Sequence, residues 1–186
     1  KYLGGHSDIV GGSIVIKENK EYAEKISFIQ NAVGAVPSPF DCYLLTRSIK
    51  TLSVRMKQHN ENAIAVSNYL SNHPKIEKVF FPGNDKRHKE IAEKQMDGFG
   101  GMMSFVIDSD INGVKTFLKN LNLFTLAESL GGVESLIEHP AIMTHASIDP
   151  SIREKLGISE TLLRISVGIE DVDDLISDLD QALSKI

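Results

Sequence analysis

Gly101-Met102-Met103-Ser104-Phe105-Val106-Ile107-Asp108-Ser109-Asp110-Ile111-Asn112-Gly113-Val114-Lys115-Thr116-Phe117-Leu118 changes period midway, and that change sets the fold class. Residues 101–107 form a short apolar run, which predicts a strand. Asp110 is a favoured helix N-cap type, and Ile111, Val114, Phe117, Leu118 and Leu121 then recur on one helical side. Outward from this unit, strands and helices keep alternating. A strand is predicted over 76–81, stopped by Pro82-Gly83, and a polar helix over 86–96. Further strands fall at 124–127, 133–137 and 162–167. A last helix over 172–184 places Val172, Leu175, Ile176, Leu179 and Leu183 on one face. Glu170, Asp171, Asp173 and Asp174 gather at its start, where the helix dipole favours anions, so that cluster reads as structural and not as a metal site.

Upstream, a long helix is predicted over 51–71, ending at His73-Pro74. Its apolar stripe is Leu52, Met56, Ala63, Val66 and Leu70; His59 shares the stripe and reads as a packed, hydrogen-bonded histidine. Ser38-Pro39-Phe40-Asp41 is a helix start with a cap, a proline at the first position and an acid at the third. Another helix is predicted over 21–32, and residues 1–16 read as a glycine-punctuated turn leading into a strand at 13–16. The pattern is α/β. Residues 51–186 are expected to form an α+β unit with its own core, and residues 1–50 the trailing edge of a neighbouring domain.

Composition narrows the function. The 186 residues carry 20 Lys and Arg against 25 Asp and Glu, a net charge of −5 without a basic stripe, which argues against a nucleic-acid grip. No apolar run reaches the ~18–20 residues of a membrane span. The one cysteine, Cys42, cannot make an internal disulfide, which favours a reducing compartment, and its apolar helical neighbours predict a buried, inert thiol. Residue 1 is Lys and not Met, so either processing removed something or the chain is part of a longer one.

Three segments exceed background. Lys1-Tyr2-Leu3-Gly4-Gly5-His6-Ser7-Asp8 sets a lysine beside a tight glycine turn. In Ala127-Glu128-Ser129-Leu130-Gly131-Gly132-Val133-Glu134-Ser135, adjacent glycines allow close approach to the backbone, with an ordinary hairpin as the plain alternative. Leu163-Arg164-Ile165-Ser166-Val167-Gly168 alternates an arginine with apolar residues. Such an arginine either faces a cavity, where its planar fork suits a carboxylate, or lies in solvent on an edge strand. Phosphate-loop, dinucleotide, zinc-protease and nucleophile-elbow motifs are all missing from the sequence.

Together the segments resemble the Cys/Met-metabolism family of pyridoxal-phosphate enzymes. The resemblance runs through Gly34-Ala35-Val36-Pro37-Ser38-Pro39-Phe40-Asp41-Cys42-Tyr43-Leu44, Lys50-Thr51-Leu52, Leu123-Phe124-Thr125-Leu126 and His139-Pro140-Ala141-Ile142-Met143-Thr144-His145-Ala146-Ser147. It covers nearly the whole chain. It implies the end of an aspartate-aminotransferase-like domain (fold type I) over 1–50, then a smaller α+β C-terminal domain over 51–186, with the N-terminal half of the family's length missing. It implies pyridoxal 5'-phosphate as cofactor, held by Lys1, which is also the mobile base. Arg164 would clamp the substrate α-carboxylate, Ser129 would help hold that carboxylate and position Lys1, and Glu128 would face the distal amino end. Asn31 would border the pocket. The implied reaction is γ-elimination of L-cystathionine to cysteine, 2-oxobutyrate and ammonia, with hydrogen sulfide release from cysteine as a side reaction. The alternatives are the γ-synthase reaction, or a non-catalytic assembly module. A sulfur amino acid substrate, a homotetramer and a cytoplasmic location belong to the same expectation, without nucleic acid or membrane partners.

Overall fold

A computed structural model describes residues 1–84 and 86–186, with Arg87 described by its backbone alone. In chain order the elements are α1 (Lys20–Val33), α2 (Pro39–Ile49), α3 (Leu52–Ser71), β1 (Ile76–Phe80), α4 (Lys86–Gln95), β2 (Met102–Ile107) and α5 (Ile111–Lys119). There follow β3 (Thr125–Leu126), β4 (Leu136–Glu138), α6 (Pro150–Lys155), β5 (Leu162–Ser166) and α7 (Val172–Leu183). The strands form one mixed sheet in the order β1-β2-β5-β4-β3. β3 and β4 run parallel, and the other neighbours antiparallel. The fold is α/β.

Local chemistry explains where the helices begin. Ser38 accepts the Asp41 N–H at 3.1 Å, with Pro39 opening α2. Asp110 accepts the N–H groups of Asn112 and Gly113, both at 2.9 Å, and Asp171 accepts that of Asp173 at 2.9 Å. Each cap satisfies donors that the first helical turn leaves without partners. α6 escaped the sequence reading, although Asp149-Pro150 is the same kind of start: Asp149 accepts from Ser151 N–H at 2.9 Å.

One face of the sheet carries the core. Met103, Phe105 and Ile107 of β2 and Leu163 and Ile165 of β5 are buried beneath Ala63, Val66 and Leu70 of α3, Val114 and Phe117 of α5, and Leu175 and Leu179 of α7. Phe105 and Phe117 meet edge to face at 6.2 Å. Burying each such side chain contributes about 1.5–3 kcal/mol. His59 is fully buried in this layer, and its Nδ1 lies 2.7 Å from the Val167 carbonyl, as a packed histidine should.

Two expectations need correcting, and one open alternative is decided. The strand expected at 13–16 is absent, and Val10 and Val15 are 95% and 92% exposed. An apolar run becomes a strand only against a partner, and no described segment pairs with this one. Cys42 is exposed, because among the described residues nothing covers that side of α2. The 127–135 segment is no hairpin: it joins parallel strands, so it swings out and around before re-entering the sheet.

Candidate active site

The Lys1 end of the chain is anchored to the folded layer by its neighbours. The Gly5 N–H donates to the Lys1 carbonyl at 2.7 Å, closing a turn, and Val133 N–H donates to the Gly5 carbonyl at 2.9 Å. Arg55 is buried on α3 and fans out from it. Its Nη1 donates to the Tyr2 carbonyl at 2.8 Å, its Nη2 to the Ser48 carbonyl at 3.0 Å and its Nε to Thr51 Oγ1 at 3.1 Å. The Tyr2 ring packs edge-on against His59 at 5.0 Å. Burial pushes the Tyr2 phenol pKa up and the His59 imidazole pKa down, so both prefer their neutral forms.

Against this anchor lies the 127–135 loop. Gly131 adopts φ 76°, and a Cβ there would stand 2.9 Å from the Tyr2 nitrogen, so both conformation and space demand glycine. Its N–H donates to Ser166 Oγ at 2.8 Å, tying the loop to β5. Ser129 adopts φ 95°, a conformation that L-residues rarely take. That backbone turns Ser129 both ways: Lys1 Nζ donates to its Oγ at 3.3 Å, and Arg164 Nη2 donates to its carbonyl at 3.4 Å. Three of the expected site residues are thereby brought together.

Arg164 does not lie on an edge. β5 is flanked by β2 and β4, and the arginine points to the face opposite Leu163 and Ile165, with its side chain 28% exposed. There Nη2 stands 2.9 Å from Oε2 of Glu138. Glu128 is exposed on the loop beside Ser129. Asn31 stands apart, on an exposed groove of α1 with Ala23, Glu24, Ser27 and Phe28, and does not line the cavity at Lys1.

That cavity has a volume of about 580 Å³ and is walled by Lys1, Gly4, Gly5, Ser129 and Gly132 together with Asp41 and Cys42 of α2. Its size falls within the range of small-molecule sites, and Lys1 is the one lysine in its wall among the described residues. The lysine is exposed, and its partner is a neutral hydroxyl instead of a carboxylate that would hold it as an ion pair. An accessible primary amine of this kind fits an aldehyde cofactor. Sequence reasoning missed Glu138 and the Arg55–Tyr2 anchor. The signal for Glu138 was an acid closing the apolar run Leu136-Ile137; Arg55 had no comparable sign.

A mixed-sheet α/β chain with an accessible lysine amine on a glycine-lined cavity has the features needed to hold a carbonyl cofactor on lysine. More particularly, the chain belongs to the Cys/Met metabolism PLP-dependent enzyme family, whose model matches residues 1–184. It is 54% identical over 187 residues to cystathionine gamma-lyase of Dictyostelium discoideum, covering 100% of this chain and 48% of that protein. It is 53% identical to cystathionine beta-lyase of Coxiella burnetii, covering 98% and 48%. Among solved structures it resembles cystathionine gamma synthase from Xanthomonas oryzae in complex with cystathionine (TM-score 0.92) and cystathionine gamma-lyase from Lactobacillus plantarum complexed with L-serine (TM-score 0.91). Each is 45% identical, and each match covers all of this chain and 48% of the other. The chain spans about half the length of the curated relatives it matches.

Proposed function

We propose that this chain is the lysine-bearing part of a pyridoxal-phosphate-dependent cystathionine γ-lyase. The overall reaction takes L-cystathionine and water to cysteine, 2-oxobutyrate and ammonia. The observation that carries the reading is Ser129, which meets the Lys1 amine with its side chain and the Arg164 guanidinium with its carbonyl. When bound, the cofactor supplies an electron sink for charge developing on substrate carbon. Lys1 holds the cofactor and, once its amine is released, moves protons at the substrate. Arg164 fixes the substrate carboxylate through charge-assisted hydrogen bonds, and Ser129 sets the distance between Lys1 and Arg164. Glu128, on the exposed side of the loop, serves the far amino group. Asn31 stays a weaker candidate, since its groove lies apart from the cavity. In this reading residues 1–50 edge a larger cofactor domain and residues 51–186 form the smaller one. The apolar groups exposed on α1 and α2, among them Phe28 and Phe40, support burial against further polypeptide, in keeping with a homo-oligomer.

The likeness to the Xanthomonas synthase favours a second reading, γ-replacement building cystathionine from an activated homoserine and cysteine. In a full-length protein bearing these residues, Lys1→Ala is expected to abolish the visible absorbance of covalently held cofactor together with turnover. Survival of both would overturn the role given to Lys1. Cysteine release from cystathionine, compared with condensation of activated homoserine and cysteine, separates lyase from synthase.

A further inference from the structure

Glu138 closes β4 directly opposite Arg164, its Cα partner across the ladder to β5. It is 1% exposed, a carboxylate removed from water with Arg164 as the single cation in reach among the described residues. Thr144 Oγ1 donates to its Oε1 at 3.3 Å and gives it a second tether. The contact to Arg164 is ionic without being a directed hydrogen bond, since no N–H points at Oε2 although Nη2 lies 2.9 Å away. Glu138 therefore balances the charge of the guanidinium without using up its fork. Ser129 takes one N–H from Nη2, while Nη1 and Nε make no hydrogen bond among the described residues.

We infer that Glu138 is a positioning residue that pre-aims Arg164 at the substrate α-carboxylate; the inference rests on the role proposed above for Arg164. A long arginine side chain has many rotamers, and ordering them when a ligand arrives opposes binding. A buried carboxylate removes that freedom beforehand. If the guanidinium swung into solvent it would leave Glu138 as an uncompensated buried charge, which is strongly unfavourable. The cross-strand register makes the arrangement rigid, because both residues stand on paired backbone and not on loops. The substrate carboxylate is bound before and during reaction alike, so the effect belongs mainly to affinity.

The test uses the full-length holoenzyme, with KM for L-cystathionine, kcat, and the dissociation constant of glycine followed through cofactor absorbance. Glu138→Ala and the volume-preserving Glu138→Gln are both expected to raise KM and the glycine constant about tenfold, with kcat changed by less than about threefold. In an Arg164→Ala background, Glu138→Ala should add less than about twofold, because the residue acts through the arginine. Thermal melts identify a misfolded Ala variant, and the Gln variant then carries the comparison. If Arg164→Ala raises KM but Glu138→Gln does not, or if the two effects multiply in full, the positioning role is wrong while the role of Arg164 stands. If Arg164→Ala changes neither KM nor the glycine constant, both fall.

Discussion

Ser129 holds its backbone at φ 95°, and a non-glycine residue there stores about 1–3 kcal/mol of strain. Strain of this kind persists where the surrounding contacts demand it, and here they are the Lys1 amine on one side and Arg164 on the other. Two substitutions separate backbone cost from side-chain use. Ser129→Gly relieves the strain and Ser129→Ala keeps it, while both delete the hydroxyl. The glycine variant should melt higher than the alanine variant by the equivalent of about 1 kcal/mol, and both should lose turnover. Equal melting temperatures would show that the conformation costs nothing. No local pattern announces this residue, because its two partners lie 128 and 35 positions away. The lysine, the serine and the arginine can be singled out from sequence as residue types beside glycines or in a strand. Their meeting is a product of the loop that carries Ser129 from β3 round to β4.

Among the elements, α7 does more than cover the sheet. Asp178 faces inward from it and accepts the N–H groups of Asn122 at 2.8 Å, Leu123 at 2.8 Å and Phe124 at 3.1 Å, pinning the turn that leads into β3. Burial alone would raise its pKa, but these backbone donors together outweigh burial and hold it below its ordinary value. A carboxylate held low in the folded state stabilises the protein above its unfolded pKa, near 3.8, and that stability is lost as pH falls further. Asp178→Asn should therefore cost about 1–3 kcal/mol at neutral pH and carry a smaller penalty at a pH well below 3.8. Urea unfolding at both pH values measures the difference; a penalty independent of pH would remove the charge from the explanation. This acid sits in the helical stripe Leu175, Asp178, Leu179 and Ala182, and a lone charge within an apolar stripe is a sign legible in the sequence. The helix starts at Ser38, Asp110 and Asp171 were legible because caps act over three or four residues. Cys42 and the run at 13–16 were misread because burial and pairing depend on what lies alongside, which local pattern does not contain.

Taken whole, the described residues share one hydrophobic core, and every residue in it lies between Ala63 and Ile186. α1 buries none of its residues and α2 only Ser48, although both carry large apolar side chains. Residues 51–186 produced alone are thus expected to unfold cooperatively, with a stability loss limited to the surface contacts residues 1–50 make, chiefly those of Arg55 with Tyr2 and Ser48, of His59 with the Tyr2 ring and of Val133 with Gly5. A broad, non-cooperative melt of that fragment would show that residues 1–50 belong to the same folding unit. The sheet order has a further consequence for the chain during its synthesis. β5 occupies the centre, between β2 and β4, yet it comes after both in sequence. β2 leaves the ribosome with one neighbour, β1, and its other edge stays open until β5 emerges. At ~5–20 residues per second that exposure lasts for seconds, during which Met103 to Ile107 present an apolar strand edge to any other nascent chain. Chaperone capture on the polysome is therefore expected to raise the yield of folded protein.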